Sequence, residues 1–427
     1  MSLNLEEIMD NNITNDTEHS HAMSKNQKLV LLSSSSGFGL ENMDVLFLSF
    51  TMSSMIASLH ISAGAAGLIG TITNWGMLLG GVIFGFLGDR FGRVKTFTYT
   101  IFIFAFATAL MGFANNIYLI YFLRLLTGIG AGGEYGLGIT LLAEAFPKNK
   151  LGKMSSIASV GGQVGALLAA VLAAFIIPHL GWHALYLFGL IPIVLIFFVR
   201  RHLSESNEFL KSKQEQTIST AEAIRKYMFS DFQTSYQSIG LMIMTTVQIA
   251  GYFGLMNWLP TIVQKQSGLN VAGSSLWMIS TIIGMSVGMM TFGSILDRIG
   301  PRLSFGIFLI ASSIMVYLLV LAHTTIALLV IGAIVGFFSN GMYGGYGAVV
   351  SQLYPTEVRS SANNIIVGVG RAVGGMSSVI IGILMDQYNL MVVMIFLSVL
   401  YLISFVTMLS IPGIKKLSKK AKLSANS

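Results

Sequence analysis

Long apolar windows constrain this chain more than any other feature. A bilayer core about 30 Å thick is crossed by roughly 20 helical residues. Twelve stretches meet that length: 29–58, 66–88, 94–114, 117–145, 154–178, 182–200, 236–264, 272–296, 302–322, 324–354, 361–385 and 389–411. Only 10% of residues are charged, against about 25% in a soluble protein, so these windows read as membrane spans. Several exceed what a bilayer needs, and such helices tilt or protrude. The expected fold class is an all-α integral membrane protein with twelve transmembrane helices in two six-helix bundles. The break at 201–235 is the only long polar interior segment. It divides the chain into a disordered tail (1–28), a first bundle (29–200), a central loop (201–235), a second bundle (236–411) and a basic tail (412–427).

Basic residues orient the spans. With a cytoplasmic N-terminus, 22 of the 25 lysines and arginines fall on the inner side, Lys265 alone falls outside, and Arg124 and Arg371 lie within spans. Such a bias follows the positive-inside rule, so the expectation is a multi-pass protein of the cell membrane with both termini cytoplasmic. The net charge of +7 is then accounted for by topology, and no nucleic-acid partner is expected. The first 28 residues lack a basic start followed by an apolar core, which excludes a signal peptide. With no cysteine there is no disulfide, thiolate metal site or thiol catalysis. The histidines show no ligand spacing, so neither metal nor cofactor is expected.

The halves repeat at an offset of 208 residues. "GFLGDRFGRVK" from Gly85 matches "GSILDRIGPR" from Gly293, placing Asp89 on Asp297 and Arg90 on Arg298. Gly128 likewise falls on Gly336 and Pro147 on Pro355. A repeat that keeps its orientation is a parallel duplication, as in transporters whose site lies between the halves.

"GFLGDRFGRVK" resembles the loop 2–3 signature of the major facilitator superfamily. "RLLTGIGAGGEYGLGITLLAEAFP", "GYFGLMNWLPTIVQKQSGL", "YPTEVRSSA" and "GVGRAVGG" resemble the metabolite, aromatic-acid and niacin-type proton symporters. The resemblance runs from Leu29 to Ile411. "LSESNEFL" is similar to the PESPR element of sugar porters, with Ser204 and Asn207 in place of both prolines. Span 5 lacks the Gly-Pro pair of drug exporters, and span 7 carries only Gln248 where sugar porters have two glutamines.

Five ionisable residues lie well inside spans: Glu41, Asp44, Arg124, Glu134 and Arg371. Intramembrane charges are costly and mark ion or substrate pathways. Three acids against two bases leave one surplus negative charge, which one proton would neutralise. Glu41 and Asp44, three apart on one helix face, are candidates for proton coupling, or for ion pairs that hold helices together. An acidic residue in this part of span 1 is typical of the resembling families. Glu134 is a further protonation candidate. Arg371, about 15 Å into span 11 by helical rise, suits a bidentate grip on a carboxylate. Arg124 resembles the span 4 arginine of related symporters. Tyr252, Trp258, Tyr343, Tyr346 and Gln248 fall in spans that should border a cavity, where aromatic rings can stack on substrate or simply pack against helices. Gly85, Asp89, Arg90, Gly92, Arg93, Glu144, Asp297, Arg298, Glu357 and Arg359 are expected to form a cytoplasmic gate that clamps one state.

The sequence therefore reads as a secondary active transporter, not an enzyme. It would import a small organic anion, an aromatic or short-chain carboxylate, with a proton by alternating access. Its partners would be that substrate, protons and the bilayer, and it is expected to act as a monomer. A sugar or polyol:proton symporter and a proton-driven exporter of amphipathic compounds are the alternatives.

Overall fold

The computed structural model describes residues 23–194, 202–215, 218–267, 271–321 and 324–425. Within them the regular structure is helical throughout. In the first half α1 spans Lys25–Leu59, α2 Ala63–Phe91, α3 Arg93–Met111, α4 Ile117–Ala145 and α5 Leu151–Leu187. Two short helices follow, α6 (Asn207–Glu215) and α7 (Thr220–Phe229). The second half holds α8 (Phe232–Ser267), α9 (Val271–Ile299), α10 (Pro301–Met315), α11 (Thr325–Gly341), α12 (Tyr343–Leu353), α13 (Arg359–Gly374), α14 (Ser377–Gln387) and α15 (Leu390–Ser410). The stretch expected as a basic tail is helical as α16 (Pro412–Ala425).

Eight helical segments among the described residues are long and apolar enough to cross a bilayer. One of them, Leu151–Val194, has 44 residues, about 66 Å of helix and twice what a crossing needs. It breaks at Gly181, whose φ of 77° lies outside the helical region. Beyond the break the chain returns along α3, with Leu187 beside Gly112 and Gly189 beside Thr108. Helices α1, α4 and α8 are as long as the others but more polar: α1 carries Glu41 and Asp44, and α4 carries Arg124, Glu134 and Glu144. Counting these, and the doubled segment twice, the described chain makes twelve passages. Large apolar side chains such as Phe113, Phe175 and Val379 cover the outside, as a lipid-facing surface requires.

Glycine sets the packing within the first half. A Cβ on Gly80 would overlap the Ile129 backbone, and one on Gly165 the Gly39 backbone. The α2–α4 and α1–α5 pairs thus approach main chain to main chain, the close packing that small residues permit in membranes.

The repeat is visible in the elements themselves. Displaced by 208 residues, α2 starts where α9 starts, and α5 starts where α13 starts. Across the junction α2 packs on α13 and α9 packs on α5, so two symmetry-related contacts join the halves. Gly92 and Gly300, again 208 apart, are the turns into α3 and α10, with φ of 120° and 80°. Glycine alone adopts such φ values freely.

Helix starts reveal a second layer of design. Ser24, Ser62, Asn116 and Thr324 cap their own helices with side-chain oxygens. Among the helices with no side-chain cap of their own are α3, α5, α10 and α13. All four start at the end of the molecule that holds α6, α7 and α16, called here the terminal end. Each receives its cap from a distant residue.

Candidate functional site

Two of those remote caps fasten the halves together. Asp89, at the end of α2, accepts the backbone N–H groups of Ser360 and Ser361 at 3.1 and 2.8 Å, on the first turn of α13. Asp297, at the end of α9, accepts those of Gly152 and Lys153, both at 2.8 Å, on the first turn of α5. Every partner is displaced by the same 208 residues. The first four N–H groups of a helix lack internal acceptors, and the helix dipole favours negative charge there.

Around Asp89 the terminal end is dense with charge. Arg93 is buried, 3.2 Å from Asp89 and 3.0 Å from Glu144, and donates to the Thr356 carbonyl. Its guanidinium lies 4.2 Å from the Phe209 ring centroid. Glu205 caps α3 by accepting from the N–H groups of Arg93 and Lys95 at 2.8 and 3.1 Å. In the second half Ser418 of α16 does the same for α10, accepting from Arg302 N–H at 2.8 Å. Glu208 meets Arg359 at 3.1 Å and accepts from Thr356 at 2.6 Å. Burial pushes the Glu208 carboxyl up, but the Thr356 hydroxyl and the Arg359 charge outweigh it and hold the group below the usual glutamate range.

Of the expected gate residues, Asp89, Arg93, Glu144, Asp297 and Arg359 therefore meet at this end. Gly85 lies where α2 crosses α13, and a Cβ there would stand 2.9 Å from Ser361 Cα. Arg90 and Arg298 do not join them. Both are exposed, because each follows its Asp by one residue and so points about 100° away around the helix; Arg90 stacks on Phe86 and Phe91 instead. Glu357 lies on the turn Thr356–Val358, where Thr356 makes the contacts to Arg93 and Glu208. Glu205, Ser206, Glu208 and Asn364 were not expected there. Asn364 bridges the halves by accepting Gly136 N–H at 2.8 Å and donating to Gly133 C=O at 3.2 Å. The neighbouring "YPTEVRSSA" could have drawn attention to it.

The intramembrane charges sort into two pairs and one remainder. Arg124 contacts Asp44 at 3.0 Å, and Thr108 donates to the other Asp44 oxygen at 2.7 Å. This cluster is buried inside the first half, with Tyr186 beneath the guanidinium. Arg371 of α13 donates to Glu41 of α1, so this pair links the halves. It also donates to Tyr343 at 3.3 Å and lies 5.8 Å from the Tyr135 ring centroid. Glu134 is the remainder. Its side chain is fully buried, and neither carboxyl oxygen has a hydrogen-bond partner.

A cavity opens beside Arg371. Glu41, Asn42, Asn74, Met77, Gln163, Gln248, Tyr252, Phe253, Asn340 and Tyr343 line it together with Arg371. Its walls come from both halves, and its free volume is about 80 Å³. Among the described residues, the hydrogen bonds between the halves lie at Arg371 or towards the terminal end. The expected site residues Arg371, Tyr343, Tyr252 and Gln248 are brought together here. Arg124 and Asp44 are not, because they pair with each other within the first half. Tyr346 packs 4.8 Å from Phe305 in the core of the second half, and Trp75 faces outward. The side chain of Trp258 lies outside the described residues. Among the described residues no cluster of acidic, histidine or cysteine side chains could hold a metal ion.

Comparison with known proteins places this architecture. The profile of the Major Facilitator Superfamily matches residues 33–288 and 241–425. The chain belongs to the major facilitator superfamily. Its members are transporters, and this one is a multi-pass membrane transporter rather than an enzyme. Relatives include a provisionally assigned metabolite transport protein of Haemophilus influenzae, 36% identical over 90% of this chain and 96% of that one. A cis,cis-muconate transport protein of Acinetobacter baylyi is 27% identical over 81% and 84%. The major facilitator fold itself is matched by the proton:xylose symporter XylE bound to 6-bromo-6-deoxy-D-glucose, with a TM-score of 0.78 at 17% identity, covering 93% of this chain and all of that one.

Proposed function

We propose that the transporter takes up a small organic anion with a proton, and that Arg371 is the anion's ligand. One observation carries this reading: the guanidinium at the cavity wall is held by Glu41, a carboxylate from the opposite half. A substrate carboxylate reaching Arg371 must displace that of Glu41. Stranding an ionised carboxylate in a water-poor cavity is costly, so Glu41 leaves most easily with a proton. Anion binding and proton binding are thereby linked at one guanidinium.

The balance of charge supports the same reading. Arg371, Glu41 and the partnerless Glu134 hold two acids and one base, so one proton makes the empty site neutral. A bound monoanion calls for a second proton. Each monoanion then enters with one proton, and no net charge moves. A muconate transporter among the relatives fits a carboxylate cargo. The Asp44–Arg124 pair carries no surplus charge, and in this reading it braces the first half.

The basic bias assigns the terminal end to the cytoplasm. The halves are fastened there, so the conformation is closed on the inner side. Cysteine at Asn116 should react with an impermeant thiol reagent in intact cells, and cysteine at the exposed Lys211 should not. The reverse pattern would invert the orientation.

The coupling test uses proteoliposomes. Uptake of a monoanion against its gradient should follow a pH difference and ignore an imposed membrane potential. One pH unit corresponds to about 1.4 kcal/mol, or roughly tenfold accumulation. Uptake driven by potential alone would refute the one-for-one stoichiometry.

A further inference from the structure

The cavity wall is unusually rich in carboxamides. Asn42, Asn74, Gln163, Gln248 and Asn340 line it alongside Arg371. An acid with a bare aromatic body needs little past its carboxylate except apolar contact, and small-molecule pockets are mostly apolar with a few placed polar groups. Five amides suit a different body.

Two of them are unsatisfied. The Oε1 atoms of Gln163 and Gln248 are buried without a hydrogen-bond donor. For Gln248 the chemistry decides which end of the amide is which. Its Nε2 donates to the Ser339 carbonyl at 2.9 Å and to Asn340 Oδ1 at 2.8 Å. A flipped amide would set oxygen against the Ser339 carbonyl, so the leftover atom is an acceptor. Gln163 belongs to α5 and Gln248 to α8, so the two unsatisfied amides come from opposite halves, and Gln248 is the one whose free end is fixed as an acceptor. Both Oε1 atoms are shielded in this conformation. A substrate that displaces Glu41 and takes up the cavity must offer donors to such groups or leave them stranded.

We infer that the anion carries hydrogen-bond donors on its body, hydroxyl groups above all: a hydroxylated carboxylate of the sugar-acid type, not a benzoate-like acid. The inference rests on the anion reading above and specifies the part of the substrate that Arg371 does not hold. Sites built to hydrogen-bond a substrate hydroxyl reject the analogue lacking it far more strongly than apolar pockets reject an extra methylene. With one unsatisfied amide in each half, such a body also bridges the junction, so binding favours the arrangement in which both halves close on it.

Titration calorimetry on the purified full-length protein tests this with gluconate, glucuronate, benzoate and the neutral polyol sorbitol. At least one hydroxylated acid should bind with a Kd tenfold or more below that of benzoate, about one unmatched acceptor's worth, and sorbitol should bind more weakly still. Gln248→Met and Gln163→Met should each shrink the gluconate-to-benzoate preference, raising the gluconate Kd by a larger factor than the benzoate Kd. Gln163→Met keeps the test open if loss of the Ser339 contact unfolds the Gln248 variant. Benzoate binding as tightly as both hydroxylated acids, or a preference that survives Gln163→Met and a folded Gln248→Met, overturns the hydroxylated body and leaves the anion reading standing. Sorbitol binding as tightly as gluconate overturns the anion reading itself, and this inference with it.

Discussion

Glu41 and Arg371 are 330 residues apart in the chain and form an ion pair across the junction of the two halves, at the wall of the cavity. A charge pair in that position is both a strut and an obstacle. Converting Glu41→Gln removes the anionic competitor and the proton site while keeping the shape. The variant should bind substrate with affinity that no longer depends on pH, exchange it across liposomes without a gradient, and fail to accumulate it. Accumulation that persists under a pH difference would move the proton elsewhere, with Glu134→Gln the next variant to examine.

Arg371→Lys keeps the charge but loses the two-pronged grip on a carboxylate. A lost hydrogen bond to a charged group costs about 1.5–3 kcal/mol, or roughly tenfold to over a hundredfold in Kd. Calorimetry or substrate protection against labelling would read this. Unchanged affinity in a folded protein would make the arginine purely structural and favour a neutral substrate.

Asp44→Asn should behave differently. It leaves Arg124 buried without its counter-charge, and breaking a buried pair from one side costs about 3–5 kcal/mol. The expected outcome is a lower melting temperature in detergent, partly restored by adding Arg124→Gln. If instead Asp44→Asn is stable and loses only uphill transport, Asp44 is the proton carrier.

At the terminal end, Asp89→Asn and Asp297→Asn weaken symmetry-related caps. A charged cap at a helix start contributes about 1 kcal/mol, enough to shift an open-to-closed ratio about fivefold. Spin-label distances across that end should lengthen in either variant and more so in the double variant. Identical distance distributions in wild type and double variant would show that the caps do not hold the closed state.

Glu208 makes the same end sensitive to acid. Its carboxyl is held below the usual glutamate range, so in the folded state it gives up its proton more readily than in the unfolded chain. Its tie to Arg359 and Thr356 is therefore fully present above the ordinary glutamate value of about 4.3 and is lost as pH falls through the lower folded value. Proteolysis of the α6 region should accelerate only once the pH has fallen below the ordinary glutamate value. Glu208→Gln should remove the dependence.

Much of this was legible in the chain. The 208-residue offset, read from "GFLGDRFGRVK" and its degenerate copy, anticipated the matching positions of Asp89 and Asp297, because a duplicated motif carries its geometry with it. The surplus acid among five buried charges was a matter of counting. Which acid was surplus was not, since pairing depends on which helix faces meet, and nothing local in "GFGLENMDVLFLSF" tells Glu41 to reach across the junction and Asp44 to stay at home. Glu205 was missed for a related reason. The uncapped start of α3 creates a need that a polar linker more than 100 residues later fulfils. Arg90 and Arg298 were drawn into the expected gate by adjacency in the motif, although neighbours on a helix point in different directions.

The four helix-start donors that cap onto Asp89 and Asp297 are main-chain N–H groups. Lys153, whose side chain is exposed, can therefore change identity over evolutionary time without removing its side of the fastening, whereas a Cβ on Gly152 would stand 2.7 Å from Asp297 Oδ1 and 3.0 Å from the Gly293 carbonyl. Only proline, which lacks the N–H, deletes a donor outright. Mutational sensitivity falls on the two aspartates and on the close-packed Gly152, Ser360 and Ser361, while exposed positions such as Lys153 can drift. A lineage could remodel the surface around the closed end extensively and keep the same closure.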